Sequence, residues 1–169
     1  MLTQQELLTR LRPLLEKEGR LYQKVTRIFA RPAREGEVVN TVTADGLETV
    51  NVARPGDWLV RNQTEAEEQY LISAAKFTRR YECIQPADDG WAEYRAVGRI
   101  RALELTPQRL NALDLCAPFD FVAPWGSLMT ARQGDFLACP EDGDEVYRIA
   151  RAEFEQTYLP LDERKNEGR

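Results

Sequence analysis

Apolar positions change their period several times along the chain, and each change marks an element. Thr3-Gln4-Gln5-Glu6 has the spacing of a capping box, and Leu7, Leu8, Leu11, Leu14 and Leu15 follow at helical intervals. This predicts an N-terminal helix within residues 1–20, laid over a sheet and stopped at Gly19. Pro13 removes a backbone hydrogen bond inside it and is expected to kink the helix or split it into two short turns. Residues 21–30 are rich in β-formers and read as one strand, ended by Arg31-Pro32. Residues 37–43 and 47–53 alternate apolar and polar side chains around Ala44-Asp45-Gly46, which predicts a hairpin. Pro55-Gly56 suits a type II turn, followed by short strands at 58–61 and 69–72. Ser73 then caps a helix of about two turns with Phe77 and Tyr81 on one face. Pro86-Ala87-Asp88-Asp89-Gly90 reads as a linker. Thr106 to Leu113 predicts a short helix with Pro107 at its first position. Residues 119–122 and 127–131 form a second hairpin around Pro124-Trp125-Gly126.

Two stretches share a grammar. Arg54-Pro55-Gly56-Asp57-Trp58-Leu59-Val60 leads to Tyr70, Phe77 and Tyr81, and Gln133-Gly134-Asp135-Phe136-Leu137 leads to Tyr147, Phe154 and Tyr158. Tyr to Phe is seven residues in each, and Phe to Tyr is four. Tyr94, Val97, Arg99, Ile100 and Ala102 repeat the pattern of Tyr22, Val25, Arg27, Ile28 and Ala30. Fixed spacings of this kind point to internal duplication. The expected fold is α+β: two degenerate repeats of antiparallel β-strands, each closed by a short C-terminal helix, plus the N-terminal helix. The divisions are 1–20 for that helix, 21–84 and 85–160 for the repeats, and 161–169 for a flexible tail. A half of roughly 65–75 residues is marginal alone, so the halves are expected to pack as one pseudo-symmetric unit.

A Pro-Gly-Asp-aromatic turn, two strands and a Phe-x-x-x-Tyr helix resemble the PGDYG family, small bacterial, phage and eukaryotic proteins named for the turn. The resemblance covers residues 54–82, with Trp58 and Leu59 in place of the family's Tyr and Gly, and more weakly 132–158, with Gln133 in place of Pro. It implies kinship and a tandem arrangement rather than a mechanism. Gly-Asp turns before a short strand also occur in SH3-like barrels, an alternative kinship.

Composition narrows the chemistry. The chain of 169 residues has no histidine, which removes Ser-His and Cys-His nucleophiles and the usual base near neutral pH. Three cysteines without a close pair make a zinc site unexpected, and no metal or cofactor is expected. A net charge of −5 argues against broad nucleic-acid binding. The excess is local: residues 21–84 carry nine basic and nine acidic side chains, residues 85–160 seven and thirteen. No apolar run approaches the roughly 20 residues of a membrane helix, and the N-terminus lacks signal-peptide character, so a cytoplasmic setting is expected.

Asp57 and Asp135 hold matching places in the two turns. Their structural role is to cap the amides of their own turns. Their functional role, with Trp58 and Phe136 beside them, is to flank a ligand between the halves. The matched aromatic pairs, Tyr70 with Tyr147 and Tyr81 with Tyr158 among them, are expected to be core. The favoured role is a non-enzymatic binding or adaptor module that recognises a protein or small molecule along the inter-repeat groove, as a monomer or homodimer. The alternative is a hydrolase using Asp57 and Asp135 as a carboxylate pair.

Overall fold

The computed structural model describes residues 1–25, 27–43, 46–141 and 143–161, with the backbone alone for 42–43 and 47–49. It is an α+β fold in which the described residues form four α-helices and antiparallel sheets. Helix α1 (Gln4–Glu18) starts as its capping box requires. Thr3 Oγ1 accepts from the Glu6 amide at 3.1 Å, and the Glu6 carboxylate accepts from the Thr3 amide at 2.8 Å. Pro13 does not split it: α1 is one helix of 15 residues. Pro13 and Thr9, whose carbonyl it leaves without an amide, are on the exposed side, open to solvent. Leu7, Leu8, Leu11 and Leu15 are buried on the opposite side and hold the helix down. Gly19 stops the helix by close approach, since a Cβ there would stand 2.4 Å from the Leu15 carbonyl oxygen.

The expected single strand at residues 21–30 is two strands, β1 (Arg20–Lys24) and β2 (Arg27–Pro32), and they belong to different sheets. After them come the hairpin β3 (Val38–Thr43) and β4 (Gly46–Val52), then β5 (Asp57–Asn62), β6 (Gln69–Ser73) and α2 (Ala74–Arg80). Ala44 and Asp45, on which the predicted hairpin turn falls, lie outside the described residues. Strand β7 (Tyr81–Pro86) follows α2 directly, so this helix does not close its half. The predicted linker is the turn between β7 and β8 (Ala92–Ala96), which pair with each other. Next are β9 (Arg99–Glu104), α3 (Pro107–Ala112), the hairpin β10 (Phe119–Val122) and β11 (Leu128–Ala131), β12 (Phe136–Pro140) and β13 (Tyr147–Ile149). Helix α4 (Arg151–Thr157) is followed by β14 (Tyr158–Pro160), so it does not close the chain either. Residue 161 ends the described part of the predicted tail.

Two five-stranded sheets run in the orders β6-β5-β2-β8-β7 and β13-β12-β9-β1-β14. The chain crosses from one to the other between Lys24 and Arg27, and back at 97–98. The two crossing segments pair antiparallel on both sides of the bend, Tyr22 with Ile100 and Ile28 with Tyr94. The bends have a cause. The Val25 amide donates to the Thr157 carbonyl at the end of α4 at 2.8 Å, and the Val97 amide to the Arg80 carbonyl at the end of α2 at 2.9 Å. Each strand is interrupted where a helix end takes its N–H. Gln23 Nε2 ties the two bends together by donating to the Ala96 and Gly98 carbonyls at 3.3 and 3.0 Å.

Three cores follow from this layout. Phe77 of α2 packs on Ile28, Ala30 and Val60, with Trp58 stacked on its ring at 4.3 Å. Phe154 of α4 packs on Tyr22, Ile100, Ala102 and Ala138, with Phe136 stacked at 3.7 Å. The largest core lies where α1, α3 and the β10–β11 hairpin cover the second sheet, around Leu7, Leu11, Leu105, Phe121 and Leu137. Among the described residues no helix is long and apolar enough to cross a membrane.

Candidate functional site

Lys24 is the last residue of β1. It shares a strand face with Tyr22, and beyond the bend that face continues with Ile28 and Ala30. Strand alternation therefore delivers a lysine to an otherwise apolar surface. Lys24 is 8% exposed, and its ammonium donates to Asn62 Oδ1 at 2.9 Å, the Tyr81 hydroxyl at 3.2 Å and the Tyr70 hydroxyl at 3.3 Å. Asn62 donates in turn to Glu68 Oε1 at 2.5 Å, and Thr64 donates to Glu68 Oε2 at 2.7 Å. A buried ammonium and a buried carboxylate are thus balanced through one amide, the condition on which charges are tolerated inside a protein. Burial opposes the charge on Lys24, but Tyr81, Tyr158 and Glu68 outweigh it and hold the ammonium above its ordinary pKa.

Four tyrosines meet around this lysine. The Tyr70 and Tyr81 hydroxyls are 2.6 Å apart, and Tyr147 and Tyr158 line the same groove from the second sheet's side. Tyr70 ends up here because β6 alternates its side chains, and Tyr81 because the helix α2 stops one residue before it; Tyr147 and Tyr158 stand likewise on β13 and after α4. Burial raises Tyr70 and Tyr147 well above the usual tyrosine value, and neighbouring hydroxyls add to the shift. Burial also raises Tyr158, with Lys24 opposing. Tyr70, Tyr147 and Tyr158 therefore stay neutral donors at any physiological pH.

Beside the tyrosines, Glu145 accepts from Arg80 at 2.6 Å and from Lys76, binding α2 of one sheet to the loop before β13 of the other. Burial pushes the Glu145 carboxyl up, but these two cations together outweigh it and hold it below the usual carboxylate range.

All of these groups except Thr64 line one groove of about 720 Å³ between the sheets. Its floor is polar. Its rim is apolar and partly exposed, formed by Val50 and Val52 of β4 and by Trp125. The two hairpins meet at this rim, where Ser127 donates to Asn51.

The residues that sequence reasoning placed in a site are distributed differently. Asp57 lines the groove, and its Oδ2 accepts from the Arg54 amide at 2.9 Å. Asp135 is buried in the second sheet, where Oδ2 accepts from the Arg132 amide and from Arg148 Nε, both at 2.7 Å. Each carboxylate caps its own turn, and the glycine before it takes the positive φ the turn needs, +84° at Gly56 and +92° at Gly134. The two turns sit at the ends of β5 and β12 that point away from the bends, in different sheets, so the fold does not bring the carboxylates together. Trp58 and Phe136 are in the stacks on Phe77 and Phe154.

What the sequence reading missed is Lys24 and the hydroxyls of the four tyrosines. One signal was available: Phe stands at both 77 and 154, whereas tyrosine stands at 70, 81, 147 and 158, and packing alone does not require four hydroxyls. Among the described residues no group of three or more Cys, Asp or Glu side chains is arranged to hold a metal ion.

The PGDYG family model matches residues 49–159, about two thirds of the chain, in one stretch that takes in both Gly-Asp turns. The chain belongs to the PGDYG family. No curated protein and no solved structure matches it. The matched region of this PGDYG protein contains all four site tyrosines, whereas Lys24 precedes it. The turn that names the family is an architectural element here, with its aromatic in a core and its Asp on a backbone amide.

Proposed function

We propose that this PGDYG protein is a non-enzymatic binding module, built from a duplicated unit, that holds a small molecule in the groove between its two halves. The observation that carries the reading is the groove itself. About 720 Å³ falls within the range of roughly 300–1,000 Å³ common for small-molecule sites, and an apolar rim over a few convergent polar groups is their usual make-up. The duplication is supported by register. Tyr22 opposite Ile100 and Tyr94 opposite Ile28 are the pairings expected when residues 22 and 94, and 28 and 100, are equivalents. The matching amide contacts of Val25 and Val97 to the ends of α4 and α2 support it too. On this reading the crossing strands exchange their first halves, so that each unit completes the other's sheet and the groove forms only when both are present.

The hydrolase alternative has less support, because both carboxylates are engaged by their own turns. Amide-resolved NMR of the whole chain against a small-molecule set tests the proposal. Ligands that bind are expected to shift resonances of residues 24, 70, 81, 147 and 158. Ligands that perturb only the outer faces of the sheets, or a set without any binder, would refute it.

A further inference from the structure

We propose that the groove takes an uncharged amphiphile, with a hydroxyl or carbonyl head among the tyrosine hydroxyls and an apolar body against the rim. The proposal rests on the groove being a ligand site and adds the chemistry of the ligand. Charge balance leads to it. Six Lys and Arg side chains line the groove, and so do four carboxylates, those of Asp57, Glu68, Glu145 and Glu153. Two further carboxylates stand on lining arginines, Asp135 on Arg148 at 2.7 Å and Glu141 on Arg99 at 3.7 Å. Six charges of each sign therefore cancel. On the floor they also cancel locally. Glu145 is held by Lys76 and Arg80, and Glu68 meets Lys24 through Asn62.

Balance of this kind selects against a charged ligand. An ionic head loses its water on entering the groove, and the opposite charges on the floor are already engaged, so the loss is not offset. An uncharged head loses far less. What the floor offers such a head is phenol. Tyr70, Tyr147 and Tyr158 line it as neutral side chains at physiological pH, and a phenolic hydroxyl both donates and accepts. That suits the oxygen of an alcohol, ester or amide. The rest of the ligand follows from the rim. Val50, Val52 and Trp125 are exposed by 52%, 59% and 37%, and a hydrocarbon or ring laid along them removes that apolar area from water.

The test uses the full chain and three probes that share an octyl body: octanol, octanoate and octyltrimethylammonium. Amide NMR titrations near neutral pH give both the affinity and the site. Octanol is expected to bind in the groove at least about tenfold more tightly than either ion, because a charge stripped of water without a new partner costs more than a hydroxyl does. Glu145→Gln removes one lining carboxylate and leaves every tyrosine in place. It is expected to narrow the gap between octanol and octanoate at least about tenfold. Lys76→Gln, the opposite change, is expected to narrow the gap between octanol and octyltrimethylammonium in the same way, and it serves alone if the first variant does not fold. Either ion binding the wild-type groove within about tenfold of octanol would overturn the inference and leave the groove as a ligand site. An octanol preference that neither charge change narrows would also overturn it. Failure of all three probes to shift groove resonances would remove both readings.

Discussion

Lys24 illustrates what a buried charge demands. Its three hydrogen bonds and the Asn62 bridge to Glu68 leave no part of the pair unmet, and the bridge is the weak point. Asn62→Ala strips an acceptor from the ammonium and a donor from the carboxylate, and is expected to cost about 2–5 kcal/mol in urea unfolding. Gln63→Ala, one residue on and exposed, is expected to cost under about 0.5 kcal/mol. The pH limbs follow from two shifts of opposite sign. Glu145 is held below its ordinary 4.5, so its contribution is present above that pH and lost as pH falls through the lower folded value. Melting temperatures of wild type and Glu145→Gln are therefore expected to converge on acidification below about pH 4.5. Lys24 is held above its ordinary 10.5, so its contribution persists to that pH and is lost only as pH rises through the higher folded value. At this scale the sequence made Asp57 and Asp135 legible as turn caps. The hydroxyl network was hidden, since nothing in residues 22–24 shows that tyrosines 46 to 134 positions away converge on Lys24.

At the scale of elements, legibility tracks how local the cause is. The capping box of α1, both hairpins and Pro107 at the start of α3 are decided by residues within a few positions, and the pattern predicts them. The bends at Val25 and Val97 are decided by carbonyls at Thr157 and Arg80, so no local pattern announces them. Strand β7 is missed for another reason. All but its first residue are exposed, which leaves no apolar alternation to read. Gly19 is legible as a stop but not for the right reason, because its φ of −70° is ordinary and space is what requires glycine. Gly19→Ala drives a methyl against the Leu15 carbonyl and side chain and is expected to destabilise the chain by about 1–3 kcal/mol. Gly143→Ala, which meets nothing within 4 Å, is the control and is expected to be near neutral in thermal melts.

For the whole molecule, the crossing of the chain between the two sheets has a consequence that a pair of independent domains would not have. Among the described residues, strand β1 pairs only with β9 and β14, and β8 only with β2 and β7. Fragments 1–86 and 87–169 therefore each lack the partners of one crossing strand. Each is expected to give a poorly dispersed NMR spectrum alone, and the mixture to recover the dispersion of the intact chain. Two well-folded separate halves would refute the interdependence. The groove between the sheets exists only in the joined molecule, which is why its residues come from both halves and from both hairpins. On the proposed function, this groove is where the protein meets its ligand. A crystal of the whole chain, soaked with a small-molecule fragment set, tests it most directly. Fragment density between the Tyr70–Tyr81 and Tyr147–Tyr158 pairs is the expected result. A groove that holds only water across the set, while fragments settle elsewhere on the surface, would contradict it.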